Sequence, residues 1–362
     1  MLRADIGYNC LVLAGGNDKE AASRVLFVEA EPWEHDRLVQ KCPHACQVHS
    51  RPGALQEIAD GDIPPGLTVL STFVHSRVTA GQLDRLGGLR MIATRSTGFD
   101  HIDVAECDRR GILVANVPHY GQDTVAEHTF ALLLALTRKI HRCHERTVRG
   151  DFSIEGLRGT DLAGKTLGCL GVGSIGQRVL RIAGGFGMRR IAYDVAPRPE
   201  LAAEMGFQYV GLDELLARAD VLSIHVPYNE KTRHMIDAAA LAKLPKGAIV
   251  VNTARGGIID PQALVDALRS GHLGGAALDV LEGETDIGEE AEIMSSSYDV
   301  ETLKGIVRNH ALLAMPNVII TPHVAFNSDQ AIERIIDTTI ANIHSFLSGK
   351  PQNVVNHPAA VG

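Results

Sequence analysis

A glycine-rich turn, Gly171-Val-Gly173-Ser-Ile-Gly176, lies between an apolar run at Thr166–Leu170 and a sequence typical of a helix. Glycines at these positions let a pyrophosphate approach the N–H groups of a helix N-terminus without interference from Cβ atoms. A second apolar run ends on Asp194, about 20 residues further on, where a carboxylate can bond the hydroxyls of an adenosine ribose. The segment therefore predicts a dinucleotide site formed by Gly171, Gly173, Ser174, Ile175, Gly176 and Asp194.

The acid at position 194 also bears on which dinucleotide binds. A carboxylate attracts a free ribose 2′-OH and repels a 2′-phosphate, so Asp194 favours NAD over NADP. Arg198 follows closely and would weaken this discrimination. The alternative interpretation is a glycine turn without a ligand, which the flanking apolar runs and Asp194 disfavour.

Polar side chains follow several other apolar runs after Gly164. In an open α/β sheet, ligands bind beyond the carboxyl ends of the strands. Residues at these ends should therefore converge on one crevice, and they are the glycine turn, Asp194, His225, Arg255, Asp279 and His323.

Three residue types at or near these strand ends suit hydride transfer between nicotinamide and a small oxidisable substrate. Arg255, followed by two glycines, offers a planar fork for a carboxylate and a neighbouring carbonyl. His323 follows a strand and a proline and suits a general acid–base. A carboxylate beside that ring would orient it and favour the imidazolium, and Glu282 and Glu284 both qualify. The alternatives are an Arg255 that only pairs with a sheet-end acid, and a glutamate that is only an exposed loop acid.

Length and composition limit the class of protein. At 362 residues the chain exceeds what one hydrophobic core usually serves, so two domains are expected. It is 45% hydrophobic and 22% charged, as in ordinary globular proteins. The net charge of −8 and the lack of a basic tract argue against nucleic acid or an anionic membrane as partner. We expect a small-molecule partner.

The absence of targeting features in the sequence and its cysteine content predict a cytoplasmic protein. No run of 18 apolar residues is present, and residues 1–22 lack the ordered regions of a signal peptide. Six cysteines in a chain of this length do not form a disulfide framework, which favours a reducing compartment. The cluster Cys42-Pro-His44-Ala-Cys46 with His49 lacks the second ligand pair of a zinc site. We therefore expect a polar loop there and no metal.

The pattern of elements alternates between strands and helices, which indicates parallel α/β sheets. Residues 124–149 predict one long helix whose wide apolar surface needs cover on two sides, as in an interdomain or subunit-contact helix. Strands are expected at 25–28, 68–74, 89–94 and 114–117, and six more follow Gly164.

The sequence also predicts the structure of three segments outside the motifs. Residues 1–22 suggest a loosely held extension, and residues 285–314 a helical insertion on the surface, with a lid as the alternative. The tail, Ser328–Leu347, predicts an amphipathic helix that returns to the first domain.

From about Leu89 to Leu347 the chain resembles the D-isomer-specific 2-hydroxyacid dehydrogenases. The resemblance is carried by several ordered motifs: the glycine turn with Asp194, and residues 225–236, 251–260, 274–284 and 320–328. It implies an α/β fold of two domains, a Rossmann dinucleotide-binding domain (121–324) inserted into a discontinuous flavodoxin-like substrate domain (1–120 and 325–362). It also implies a homodimer formed through the cofactor domain.

The resemblance assigns roles to residues. It implies that Arg255 binds the substrate carboxylate and carbonyl, that His323 is the acid–base, and that Glu284, at the family's spacing from Arg255, pairs with His323. Backbone amides of the loop Ser96, Thr97 and Gly98 would bind the substrate carboxylate. Contacts to NAD are implied for Asp279, Thr253 and Ala254 at the nicotinamide end, and for His225, Val226 and Pro227 under the adenosine.

Two sequences are similar to the D-lactate dehydrogenase branch of this family. These are the stretch from His323 to Phe326 and the turn ending at Tyr120, whose aromatic rings would line the side-chain pocket. We therefore expect NAD-dependent reduction of pyruvate or a similar small 2-keto acid. Tyr120 and Phe326 as mere packing residues are the alternative, and Thr285 departs from the proline of many relatives.

Other activities stay open at this point. Glyoxylate/hydroxypyruvate reduction and D-3-phosphoglycerate oxidation are the enzymatic alternatives. A phosphate-bearing substrate should need basic residues near Arg95, and no clear cluster is present. An NAD-sensing, corepressor-like binding protein is the alternative of another class.

Overall fold

A computed structural model describes residues 23–44, 46–283 and 300–358 of the chain. The chain divides into two compact units, Met1–Tyr120 with Asp329–Gly362, and Gly121–Ser328. The predicted extension at 1–22, the predicted catalytic Glu284 and the adjoining part of the predicted insertion lie outside the described residues. The division after Ser328 leaves Phe326 with the second unit.

Twelve strands are described. They are β1 (Ser23–Phe27), β2 (Cys46–Ser50), β3 (Leu67–Thr72), β4 (Met91–Thr94), β5 (Leu113–Ala115), β6 (Thr166–Leu170), β7 (Arg189–Tyr193), β8 (Gln208–Tyr209), β9 (Val221–Ile224), β10 (Ala248–Asn252), β11 (Leu273–Leu278) and β12 (Val318–Ile320). The described α-helices are α1 (Pro32–Lys41), α2 (Ala80–Asp84), α3 (Val104–Arg109), α4 (Gln122–Thr137), α5 (Ile140–Val148), α6 (Ser174–Gly185), α7 (Pro199–Met205), α8 (Leu212–Arg218), α9 (Ala238–Lys243), α10 (Pro261–Arg269), α11 (Val300–Leu313) and α12 (Asp329–Leu347).

The first unit contains a five-stranded parallel sheet in the order β2-β1-β3-β4-β5, which is the flavodoxin-like order. One face is covered by the C-terminal helix α12, whose buried Ile336, Ile340 and Ile343 pack with Phe27 and Met91 of the sheet. The opposite face packs a second apolar cluster around Leu70 and Ile92. Both faces are buried, as parallel sheets require.

Two elements of the first unit differ from the sequence analysis. The expected polar loop from Cys42 to His49 is wrong, because buried Cys42 follows α1 and Cys46 begins β2, which pairs in parallel with β1. Helix α1 was not predicted either. β2 is an edge strand of half-buried side chains, so its sequence lacks the apolar run by which buried strands are found. No cluster of three or more metal-ligating side chains is found within the described ranges.

The second unit contains a seven-stranded parallel sheet in the order β12-β11-β10-β9-β6-β7-β8. This is the Rossmann order, with one strand added at the β12 edge, and β6, which enters the glycine turn, lies between β9 and β7 in the interior of the sheet. The six predicted strands are present, but β8 was missed because its two residues, Gln208 and Tyr209, are too short for a periodic pattern.

The predicted long helix from 124 to 149 is wrong as a single element. It is interrupted at Lys139, whose backbone is left-handed at φ 53°, and α5 starts again at Ile140. Lys139 is neither glycine nor proline, so no ordinary helix-breaking signal marks the position. The apolar surface of α4 is covered within its own unit, by α6 and by strands β10 and β11.

Helix α11 forms the described part of the predicted helical insertion on the surface. It packs against α10 through one face, where Ile306, Asn309 and Leu312 are buried, while Leu303, Val307 and Leu313 on its other positions are exposed. In the part of the chain that is described, no helix has the length and apolarity needed to cross a bilayer. The five cysteines described there, Cys42, Cys46, Cys107, Cys143 and Cys169, are all free thiols.

Candidate active site

The glycine turn between β6 and α6 is packed at both ends and open in the middle. Gly171 has φ 95°, and a Cβ there would come within 2.7 Å of the carbonyl oxygen of His225. A Cβ on Gly176 would lie 2.1 Å from the carbonyl oxygen of Gly171. A Cβ on Gly173, by contrast, would meet no atom within 4 Å. The first and third glycines thus close the turn, while the second leaves space for a diphosphate at the start of α6, where Ser174 and Ile175 follow.

Asp194, directly after β7, is fixed beside this turn. Its Oδ2 accepts a hydrogen bond from the N–H of Val172 at 2.7 Å, and its Oδ1 accepts one from Ala196 at 2.9 Å. Arg198 donates through Nη2 to the carbonyl oxygen of Val172 at 2.7 Å. A carboxylate held at this point of a dinucleotide fold suits a ribose diol, so these residues fit the predicted cofactor.

We expect Asp194→Asn to reduce discrimination between the two nicotinamide cofactors. The amide keeps the size of the side chain and an acceptor oxygen but removes the charge that repels a 2′-phosphate. The ratio of kcat/KM for NADH over NADPH should fall about tenfold, which corresponds to about 1.4 kcal/mol.

The matched control is Asp213→Asn, which removes a carboxylate from an exposed ion pair with Lys243 in the same unit. It should leave the ratio unchanged. A wild-type enzyme that used NADPH as well as NADH would contradict the role of Asp194.

His225 lies on the other side of the glycine turn, after β9. Its N–H donates to the carbonyl oxygen of Leu170 at 2.7 Å, and its Nε2 lies 2.7 Å from Oγ of Ser223. Burial of the imidazole lowers the pKa of His225 to about 4, so the ring is neutral at pH 7. Val226 contributes to the neighbouring core and Pro227 is exposed. The segment 225–227 therefore borders the turn, as the adenosine contact predicted for it requires.

The turn that carries Arg255 is fixed by Asn252, the last residue of β10. The Asn252 side chain donates through Nδ2 to the carbonyl oxygen of Arg255 at 2.9 Å and accepts from the N–H of Ala254 at 3.0 Å. The Thr253 hydroxyl lies 3.0 Å from that of Thr129 on α4. Arg255 itself donates through Nη1 to the carbonyl oxygen of Ala254 at 2.9 Å. Sequence analysis did not single out Asn252, although it lies within the quoted motif.

Asp279, after β11, fixes the segment that carries His323. Its carboxylate accepts hydrogen bonds from the Thr321 hydroxyl at 2.5 Å and from the N–H groups of Val324 at 3.0 Å and Ala325 at 2.8 Å. Its backbone carbonyl accepts from the N–H of His323 at 2.9 Å. His323 has a left-handed backbone, φ 52°, which this set of bonds stabilises.

A histidine that the sequence analysis missed completes this network. Nε2 of His128, on α4, lies 3.1 Å from the Thr321 hydroxyl and 3.4 Å from Oδ1 of Asp279. Burial acts to raise the pKa of Asp279, but hydrogen bonds from His128, Thr321 and the two amides outweigh it and hold this pKa below its usual value. Asp279 is therefore an anion at pH 7, and its contact with the nicotinamide stays a prediction.

Of the two candidate glutamates, Glu282 lies within the described residues and Glu284 does not. Glu282 places both carboxylate oxygens at hydrogen-bond distance from Nε2 of His234, 3.0 and 2.9 Å away. Glu284 lies outside the described residues. Its pairing with His323 is therefore still a prediction.

The loop Ser96-Thr97-Gly98 belongs to the first unit and follows β4. The Ser96 hydroxyl donates to the carbonyl oxygen of Gly98 at 2.6 Å, and the Thr97 hydroxyl donates to that of Val117 at 2.8 Å. Nδ2 of Asn116 donates to the carbonyl oxygen of Thr97 at 2.7 Å. These bonds fix the loop through its side chains and carbonyls.

The two predicted pocket aromatics, Tyr120 and Phe326, are both half-buried. Tyr120 ends the N-terminal part of the first unit, and Phe326 belongs to the second unit.

In the second unit, the predicted residues that are described form one connected edge of the sheet. Gly171 contacts the backbone of His225, and Asp194 bonds the glycine turn. The N–H of Asp279 donates to the carbonyl oxygen of Asn252 at 2.9 Å, which links the Arg255 turn to the support of His323. The carboxyl ends of the parallel strands thus place a candidate dinucleotide site and a candidate acid–base on the same edge.

Several known proteins are similar to this chain in sequence. Residues 130–325 match the family model of the D-isomer specific 2-hydroxyacid dehydrogenase NAD binding domain. The chain is 39% identical over 288 residues to the D-lactate dehydrogenase of Escherichia coli (strain K12), covering 79% of this chain and 85% of that protein. It is 37% identical over 268 residues to the aromatic 2-oxoacid reductase of Clostridium sporogenes (strain ATCC 15579), covering 74% and 78% respectively.

Solved structures agree with these sequence matches. The crystal structure of D-lactate dehydrogenase from Aquifex aeolicus, complexed with NAD and lactic acid, matches with a TM-score of 0.80 at 33% identity, over 92% of this chain and 100% of that one. The predicted resemblance, the two-domain α/β fold class and NAD as cofactor are therefore confirmed. The chain belongs to the D-isomer-specific 2-hydroxyacid dehydrogenases, a family of NAD-dependent oxidoreductases.

Proposed function

We propose that this enzyme is a D-lactate dehydrogenase, which reduces pyruvate or a similar small 2-keto acid with NADH. The observation that carries the proposal is the hydrogen bond from the N–H of Asp279 to the carbonyl oxygen of Asn252. Asn252 fixes the turn of Arg255 and Asp279 fixes the segment of His323, so this bond connects the two catalytic candidates. The D-lactate dehydrogenases among the relatives support the choice of substrate.

The second unit would hold the cofactor. The amides around Gly173 at the start of α6 would bind the diphosphate, and Asp194 would bind the adenosine ribose. His225, Val226 and Pro227 would lie against the adenosine, with Thr253, Ala254 and Asp279 at the nicotinamide end. NAD, when bound, supplies the hydride acceptor or donor.

The protein's own part in the reaction is to orient the substrate and move one proton. Arg255 would bind the substrate carboxylate and carbonyl through its planar fork. His323 would donate a proton to the carbonyl oxygen in reduction and accept it from the hydroxyl in oxidation. Glu284 would orient the His323 ring and favour its protonated form. The left-handed backbone of His323, held by Asp279, supports this assignment because such strain is commonly retained at functional positions.

The first unit would supply further contacts to the substrate carboxylate. Among the described residues, we find no acceptor for the backbone N–H groups of Thr97 and Gly98. Amides left available on a fixed loop suit an anion. Together with Ser96 they are the proposed carboxylate site, and Tyr120 and Phe326 are the proposed side-chain pocket.

A second substrate class is supported by one relative, the aromatic 2-oxoacid reductase. A phosphorylated substrate has less support, because Arg95 is only 2% exposed and its Nη2 bonds the carbonyl oxygens of Val28 and Glu29. We therefore expect the largest kcat/KM for pyruvate, with phenylpyruvate as the competitor.

Steady-state assays with NADH test this order. The substrates are pyruvate, phenylpyruvate, glyoxylate, hydroxypyruvate and phosphohydroxypyruvate, and chiral analysis of the product tests for the D isomer. A preference for phenylpyruvate would replace the proposed substrate, and no turnover of any 2-keto acid would refute the proposed activity.

We also propose that the enzyme is a homodimer formed through its cofactor-binding unit. Exposed apolar side chains on α5 and the segment after it support this, with Val148, Phe152 and Ile154 at 71, 78 and 86% exposure. The mass in solution, measured by light scattering, tests the dimer. The cytoplasmic location stays a prediction.

A further inference from the structure

The side chains of His234 and Glu282 are hydrogen-bonded to each other, and this pair has no part in the reaction as described so far. The two oxygens of Glu282 lie 3.0 and 2.9 Å from Nε2 of His234. The side chains are 26% and 34% exposed, so both remain in contact with water. Such pairs contribute little to stability, typically about 0–1 kcal/mol. A role in stability alone therefore does not account for the arrangement.

The histidine of this pair is attached to the turn that follows Arg255. The N–H of His234 donates to the carbonyl oxygen of Gly257 at 2.8 Å, and Ile236 donates to that of Ile258 at 3.1 Å. His234 adopts a left-handed backbone, φ 49°, to make these contacts. These two bonds fix the backbone of His234 relative to the turn that follows Arg255.

The backbone of the glutamate lies against the same turn. A Cβ on Gly256 would be 2.0 Å from the carbonyl carbon of Leu281 and 2.2 Å from the nitrogen of Glu282. The carbonyl oxygen of Glu282 accepts a hydrogen bond from Nδ2 of Asn309 at 3.1 Å, and Asn309 is buried on α11. The backbone at 281–282 is thus held between the Arg255 turn and α11, and the hydrogen bond to His234 fixes the Glu282 side chain as well.

We propose that His234 and Glu282 are positioning residues for the dehydrogenase reaction. The hydrogen bond between their side chains holds the segment that leads to Glu284 against the turn that carries Arg255. Glu284 is two residues beyond Glu282, and consecutive Cα atoms are about 3.8 Å apart, so an anchored Glu282 restricts where the Glu284 carboxylate can reach. The inference rests on the proposed function, because it uses the roles given there to Arg255, His323 and Glu284.

The test uses four variants of the full-length enzyme: His234→Leu, Glu282→Leu, the double variant, and His234→Gln. Each leucine variant should lower kcat for pyruvate about tenfold and leave the Kd for NADH within about twofold. The double variant should be no slower than the single ones, because both remove the same contact. His234→Gln should keep kcat within about threefold of wild type, since its side-chain amide can still donate to the carboxylate.

The pH profile separates positioning from a general loss of structure. Pyruvate reduction needs His323 protonated, and a displaced Glu284 favours that form less. The alkaline limb of kcat/KM for pyruvate should therefore move to lower pH in the leucine variants. A merely structural role would lower the amount of active enzyme without moving this limb.

The control breaks a different polar side-chain contact of the same unit, the ion pair Lys243–Asp213, with Asp213→Leu. It should change neither kcat nor the pH profile. The inference is overturned if the leucine variants keep wild-type kcat and pH profile, if their losses simply add in the double variant, or if His234→Gln is as slow as His234→Leu. A wild-type enzyme that reduces no 2-keto acid would refute the proposed function instead, which distinguishes the two failures.

Discussion

Replacing His323 with glutamine should lower kcat for pyruvate reduction about 10³-fold. The glutamine side chain can donate a hydrogen bond to the carbonyl oxygen but cannot transfer a proton at neutral pH. General acid–base catalysis contributes about 10²- to 10⁴-fold, so the expected loss lies within that range. The bonds that hold this segment come from the backbone amides at 323, 324 and 325, which the substitution retains. The fold of the segment should therefore survive.

Two measurements make the His323 experiment specific. The Kd for NADH should stay within about twofold of wild type, because the cofactor contacts proposed above do not include the imidazole. NADH deuterated at the transferred position should give a larger isotope effect on kcat in His323→Gln, since chemistry becomes slower relative to product release. His344→Gln, an exposed histidine of α12, is the matched control and should be fully active. A His323→Gln enzyme within tenfold of wild type would contradict the acid–base role.

Arg255→Lys should lower kcat/KM for pyruvate about 10³-fold although the charge is retained. Lysine presents a single ammonium, whereas the guanidinium offers a planar fork that matches a carboxylate and the adjacent carbonyl. A loss of 10³ corresponds to about 4 kcal/mol, a reasonable value for two charge-assisted hydrogen bonds at a binding site. We also expect binding of oxamate, a pyruvate mimic, to the NADH complex to weaken in parallel.

The controls for Arg255 use the surrounding structure. Arg269→Lys, on the exposed end of α10, should have wild-type kinetics. The Kd for NADH should be unchanged in Arg255→Lys, because Asn252 fixes the turn through backbone groups that the substitution leaves in place. If Arg255→Lys bound oxamate as tightly as wild type, the guanidinium would not be the substrate clamp.

Much of the fold follows from local signals in the sequence. The second sheet is built from buried apolar runs whose length and separation identify strands, and five of them occur where they were predicted after β6. Asp260 before Pro261 predicts a helix start, and Asp260 indeed accepts hydrogen bonds from the N–H groups of Gln262 and Ala263. Elements that lack a local signal were missed, namely the edge strand β2, the two-residue strand β8 and the interruption at Lys139.

The candidate site divides in a similar way. The glycine turn, Asp194, Arg255 and His323 follow from residue type and from position at a strand end. The residues that hold the turn of Arg255 and the segment of His323 were not found, namely His128, Asn252 and Thr321. Each acts through a hydrogen bond to a group on another element or turn, and such a bond leaves no periodic trace in the sequence.

The sequence by itself determined the family, the cofactor and most strands of the second sheet, because short-range spacing encodes turns, caps and the carboxyl ends of strands. Only the tertiary structure decided how the reactive segments are supported. Asp279 meets His128, and Glu282 meets His234, across large separations in the chain. The physical reason is that packing of the sheet and its helices sets these distances, and many sequence positions could have supplied the same donor or acceptor.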